Sequence, residues 1–144
     1  MSNTLKISKA ILETKGSLRI RQAAKAAILS DESYLLVMER HADGTPFWTF
    51  PGGGVNENES LEEGLRREIR EEIDCQVVIG DRTGTVWYAH TTRARTISAY
   101  TAFECSIISE PEPNSEEGIF EYRWARPEEF PPRTIPQIRL LSGR

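Results

Sequence analysis

PGGGVNENESLEEGLRREIREEIDC, residues 51–75, decides how this chain is read: a glycine-rich turn feeds one amphipathic helix. Ser60 followed by Glu63 forms a capping box, so the helix is predicted to begin near Leu61, with hydroxyl and carboxylate each satisfying an otherwise unpaired backbone donor. At 100° per residue Leu61, Leu65, Ile69 and Ile73 fall on one stripe that must face a core. Glu68, Glu71 and Glu72 fall on an adjoining arc about 100° wide. Three carboxylates therefore sit together at the edge of the buried stripe.

Charge pairing along this helix is uneven. Glu62 has Arg66 four residues on, Glu63 has Arg67, and Glu71 has Arg67 four residues back; such pairs each stabilise a helix by about 0.2–0.5 kcal/mol. Glu68 and Glu72 have no cation three or four residues away, and they repel one another. Compensation must come from off the helix. A hard divalent cation such as Mg2+ is the candidate, because it takes oxygen ligands and bridges carboxylates to phosphates.

Outward from the helix the pattern resembles the Nudix box of the MutT-like hydrolases, G-x5-E-x7-R-E-U-x-E-E-x-G-U with U aliphatic. Gly53, Glu59, Arg67, Glu68, Glu71 and Glu72 match its fixed positions and Ile69 its aliphatic one. The end departs: Asp74 stands for the last glycine and Cys75 for the last aliphatic residue. Glycine there would give a left-handed cap, which aspartate tolerates better than most residues, so the change should touch helix termination rather than chemistry. The resemblance implies an α+β Nudix fold, a mixed sheet held between helices.

The chain has 144 residues, 38% of them apolar, which suits one domain with a real core. Residues 1–30 hold six Lys/Arg against Glu13, leaving −9 for the remainder of a chain of formal charge −4. That basic arm is either a solvated segment or an attractor of phosphates. Cys75 and Cys105 give neither a disulfide framework nor metal-ligand spacing. The N-terminus lacks the apolar core of a signal peptide and no run reaches membrane-spanning length, so a cytoplasmic protein without membrane partners is expected.

Residues 1–17 have no clear period and read as a peripheral arm or strand. Residues 20–29 and 34–40 are apolar runs separated by Ser30-Asp31-Glu32-Ser33, a predicted hairpin at the centre of a sheet. A polar loop over 41–46 leads to Phe47-Trp48-Thr49-Phe50 and the glycines, which let the backbone approach a ligand closely. After the helix, 77–84 reads as a short strand or turn, 85–90 as a strand, 91–96 as a basic turn, and 97–107 as a half-buried strand by alternation. Residues 109–117 form an acidic loop and 119–125 a last strand. The proline-rich tail leaves room for short helical turns at 127–130 and after Pro136.

Cleaving a pyrophosphate requires that its oxygens be neutralised and a water be deprotonated; metal ions do the first and help the second, and carboxylates anchor the metals. The resemblance implies metal-dependent hydrolysis of a nucleoside diphosphate linked to another group, with Mg2+ or Mn2+. Glu68, Glu71 and Glu72 are the expected metal ligands, with the Gly52 carbonyl implied as a fourth and Glu68 the leading base. Glu59 and Arg67 should orient the turn on the helix. Gly64 either keeps the carboxylate arc clear for metals or is a loose helix position costing about 1 kcal/mol against alanine. A further acid from a later loop would be Glu117, then Glu116, then Glu121. Arg40, Arg93 and Arg95 are candidates for holding a phosphate, with solvated surface positions as the alternative. Phe47, Trp48 and Tyr88 could stack on a base, with burial in the core as the alternative. His41 and His90 are read as structural or exposed.

The competing readings are a Nudix-fold module that senses a nucleotide or partner without hydrolysis, which has no need of unpaired carboxylates, and a Ca2+-binding acidic helix, which lacks EF-hand spacing. The box leaves the substrate open: no proline lies between it and Pro111, and Tyr88 falls too close to Cys75, so neither the ADP-ribose nor the dinucleoside polyphosphate signature is supported. A small nucleotide, rather than a nucleic acid polymer, is the expected partner, and a homodimer is the assembly common among relatives.

Overall fold

The computed structural model describes residues 19–89 and 95–142. The expected N-terminal arm, His90 and Arg93 lie outside them. Among the described residues there are seven strands: β1 Arg19–Ser30, β2 Ser33–Arg40, β3 Pro46–Thr49, β4 Gly52–Gly54, β5 Val77–Ala89, β6 Thr96–Ile107 and β7 Glu121–Ala125. Helix α1 is Leu61–Ile73 and α2 is Pro136–Leu141. Single 3-10 turns occupy Ser115–Glu117 and Pro127–Glu129. The sheet runs β3-β2-β1-β6-β5, with β4 added on β1 and β7 on β2. β1 and β6 are parallel and the other pairs antiparallel, so the sheet is mixed, as the α+β reading required.

The hairpin forms with a two-residue turn. Asp31 and Glu32 both take positive φ, 50° and 65°, which matches the twist of the flanking strands. Pairing between β1 and β2 then stops after Leu29 with Tyr34 and Ser30 with Ser33. From there β1 turns to β6 and β4, and β2 to β7 and β3. That splay opens the space used by the site.

Packing fills both sides of the strands. One core unites Ala24, Ala26 and Ile28 with Leu65, Ile69 and Ile73 of α1 and with Phe103. The other unites Ala27, Leu36, Trp48, Phe50 and Ala102 with Phe130, Ile138 and Leu141 of the tail. The short tail elements expected around Pro127 and after Pro136 are thus the cover of the second face. This is also why β6 departs from the half-buried pattern predicted for it: Ser98, Ala99, Thr101, Ala102 and Phe103 are all buried, because both faces are covered. Residues 77–89 likewise form one strand instead of two short pieces, with register shifts between Ile79 and Arg82 and between Arg82 and Gly84. The bulges let one strand carry the irregularity read as a break.

Candidate active site

Helix α1 begins and ends on its own sequence. Ser60 Oγ accepts from the Glu63 N–H at 3.0 Å and Glu63 Oε1 from the Ser60 N–H at 2.9 Å. Asp74 ends it in the left-handed conformation, φ 52° and ψ 44°, the role a glycine would have played. Leu65, Ile69 and Ile73 are fully buried, and Cys75 packs in the same core. The acidic loop docks here: Glu112 N–H donates to Ile73 O at 2.8 Å, Asn114 N–H to Glu72 O at 2.9 Å, and Asn114 Nδ2 to Glu71 O at 3.1 Å. These donors satisfy carbonyls that a helix C-terminus leaves free.

The glycine turn is pinned from two sides. Ala23, Ala24 and Lys25 of β1 pair with Gly54, Gly53 and Gly52. Gly52 has φ 130°, and a Cβ there would collide with the Ala24 carbonyl oxygen, so no other residue fits without shifting backbone. Arg67 holds the other side: its fork donates to Glu59 Oε2 at 2.8 Å and Oε1 at 2.9 Å, and to the Gly54 carbonyl at 3.0 Å. Arg67 and Glu59 thus fasten helix to turn. Hydrogen bonding to Arg67 holds the Glu59 carboxyl down at about 2. Gly64 faces the turn, since a Cβ there would press on Val55 Cγ2 at 2.9 Å and approach Glu59 Oε1 at 3.3 Å. Its smallness lets the turn lie on the helix.

The three box carboxylates diverge. Glu72 is 6% exposed, and its Oε1 accepts the Gly52 N–H at 2.8 Å. Burial pushes its pKa up to about 8 against the opposing charge of Lys25. Glu68 is half-buried, its pKa raised by desolvation and opposed by a 3.1 Å bond from Arg67. Gly53 makes room for it: a Cβ there would lie 2.9 Å from the Glu68 carboxyl carbon. Glu71 is more exposed and turns to Arg67 at 3.4 Å. Glu68 and Glu72 line one cleft of about 270 Å3, together with Arg21, Lys25, Glu39, Phe47, Thr49, Tyr100 and Ile135. Among the described residues no group of three Cys, His, Asp or Glu side chains forms a ready-made metal cluster.

Other predicted residues lie elsewhere. Glu117 is exposed on the 3-10 turn, Glu116 and Glu121 are exposed as well, and the loop that carries the first two serves the helix terminus. Arg40 is exposed, its guanidinium 4.3 Å from the Phe120 ring. Trp48, a candidate for stacking on a base with the core as the alternative, takes the core position, packed in the second core with Arg123 4.9 Å above it. Its neighbour Phe47 lines the cleft and stacks on His41 at 4.3 Å. Lys25, Glu39, Arg21 and Tyr100 were missed from the sequence. Lys25 carried a signal, a lone charge inside AAKAAIL, since such a residue is rarely buried unless paired. Thr49 Oγ1 is buried in the cleft with no hydrogen-bond partner among the described residues.

Two carboxylates and a backbone carbonyl at the mouth of a glycine turn suit a hard cation: the donors are all oxygen, and Glu72 is buried at the cost of a raised pKa. Arg21 and Lys25 add positive charge to the same cleft. A cleft of acidic oxygens beside cations suits phosphates bridged by a metal. A family model described as the NUDIX domain matches residues 20–141. The chain is 31% identical over 123 residues to a nucleoside triphosphatase NudI of Escherichia coli, covering 78% of this chain and 86% of that one. To NudI of Salmonella arizonae it is 35% identical over 91 residues, 58% of this chain and 64% of that one. In structure it is similar to a MutT NUDIX hydrolase from Burkholderia pseudomallei, with TM-score 0.75, 21% identity and coverage of 87% and 97%. The chain belongs to the NUDIX family and is a Nudix pyrophosphohydrolase. None of the helices among the described residues is long and apolar enough to cross a membrane.

Proposed function

We propose that this protein hydrolyses nucleoside triphosphates, releasing a nucleoside monophosphate and pyrophosphate, with Mg2+ or Mn2+ held by Glu68, Glu72 and the Gly52 carbonyl and with Glu71 at its margin. The observation that carries the reading is Glu72, a carboxylate buried beside Glu68 in a cleft it shares with two cations. The relatives named as nucleoside triphosphatases favour the triphosphate over other nucleotides. A divalent cation in this donor set would neutralise the anhydride oxygens and acidify the attacking water.

The residues divide the work. Glu72 stays anchored by the Gly52 N–H, which fixes one carboxylate against the turn. Glu68, with a raised pKa and freedom toward the cleft, takes the proton of the attacking water as its oxygen bonds to phosphorus and the bridging P–O bond breaks toward pyrophosphate. Glu39 replaces Glu117 as the further acid, because it lines the cleft. Arg21 forks onto the phosphate chain in place of Arg40. Phe47 and Tyr100 flank the base.

The test is release of monophosphate and pyrophosphate from a panel of nucleoside triphosphates, sugar nucleotides and dinucleotides, with Mg2+, Mn2+ or EDTA. Triphosphate turnover that needs metal and collapses in Glu68→Gln and Glu72→Gln is expected. Turnover of another class alone would reject the triphosphate; turnover undiminished in EDTA would reject the metal.

A further inference from the structure

Lys25 is 6% exposed, and its ammonium donates to the Phe50 carbonyl at 3.3 Å and the Gly52 carbonyl at 3.4 Å. The placement is dictated by the ladder, which sets Lys25 directly opposite Gly52. Around it the cleft presents Glu39, Glu68 and Glu72. Both bonds are long, and no carboxylate of the cleft lies within ion-pair distance of the amine among the described residues. Carbonyl and carboxylate oxygens converging on one dry corner repel each other unless a cation is present. Lys25 is the cation that the chain itself provides there.

One of these oxygens, the Gly52 carbonyl, is also assigned above to the metal. We propose that Lys25 and the divalent cation are alternative occupants of the Gly52 carbonyl, beside the Glu72 carboxylate, so that Lys25 sets the metal affinity of the site. The inference rests on the metal reading of the preceding section. An ammonium on the Gly52 carbonyl must leave before a divalent ion takes that oxygen, because the two charges would stand a few ångströms apart with little water between them. In the metal-free state the lysine holds the turn in register; in the loaded state it gives way. Lys25 thus acts on the metal as a competitor that tunes its affinity.

The experiment measures Mn2+ binding without substrate, by electron paramagnetic resonance of free Mn2+, and melting temperature with and without Mn2+. It uses wild type, Lys25→Met and Lys25→Arg. Removal of the competing charge is expected to tighten Mn2+ binding about tenfold in Lys25→Met. Its metal-free melting temperature should fall, and the rise on adding Mn2+ should exceed that of wild type. Lys25→Arg, with charge retained and a fork able to span both carbonyls, should bind Mn2+ no more tightly than wild type. If Lys25→Met folds only with Mn2+, that too supports the exchange. Unchanged or weaker Mn2+ binding in Lys25→Met, or tighter binding in Lys25→Arg, overturns it while wild-type binding leaves the metal reading standing. Absence of Mn2+ binding in all three overturns both.

Discussion

Glu72 accepts a hydrogen bond from the Gly52 N–H at 2.8 Å, joining the last turn of α1 to the glycine turn across 20 residues of chain. The bond makes a helix carboxylate part of the wall of the cleft.

Burial raises Glu72 from 4.5 to about 8, so the folded metal-free protein holds this proton more tightly than the unfolded chain does. Its stability should therefore fall as pH rises from about 4.5 through 8, and urea melts in EDTA should show that slope. Glu72→Gln keeps an oxygen for the Gly52 N–H and carries no charge. Above pH 8 it should be at least as stable as metal-free wild type, lack the slope, gain nothing from Mg2+, and lose activity by about 100-fold or more.

Neighbouring glycines should fail in different ways. At Gly53 a methyl group meets the mobile end of Glu68, so Gly53→Ala is expected to fold with nearly unchanged melting temperature and lose at least about tenfold in turnover. At Gly52 it meets the Ala24 backbone at φ 130°, and Gly52→Ala should cost about 3 kcal/mol in stability. Denaturant melts beside steady-state rates separate the two.

Glu59 touches none of the cleft carboxylates and acts through Arg67. Glu59→Gln is expected to lower metal affinity or turnover by about 10–100-fold, as losing a group that orients a site does. Because the folded-state value lies near 2, below the ordinary 4.5, the stability this pair contributes is complete above about 4.5 and lost as pH falls toward 2. Acid melts should show that loss in wild type and not in the variant.

Both thiols should resist modification. Burial pushes Cys105 up to about 12 and also raises Cys75, so neither ionises appreciably at pH 8. Alkylation followed by mass spectrometry should label both within minutes in denaturant and only slowly in the native protein. Rapid native labelling of Cys105 would contradict its place in the core.

Elements that rest on neighbouring residues are legible in the amino-acid order alone. Ser60 and Glu63 set the start of α1, Asp74 its end, and the spacing of Leu65, Ile69 and Ile73 its buried face, because caps and helical periodicity act within a turn or two of chain. The two-residue turn at Asp31-Glu32 and the short helix after Pro136 are of the same kind. The Nudix pattern gave the family for a related reason: its residues lie in one local unit.

The sequence by itself determined that unit, its fold and the class of chemistry. Only the tertiary structure decided which carboxylates share a cleft and what faces them. Glu71 and Glu72 are adjacent and chemically identical, yet one turns to Arg67 and the other is buried against Gly52. The difference arises where β1 and β2 splay apart and bring Lys25, Glu39 and Phe47 to the helix, and where β6 and the tail add Tyr100 and Ile135. Those contacts join residues far apart in the chain. Strand pairing and two-sided packing set them, and no local rule of capping, period or propensity encodes either.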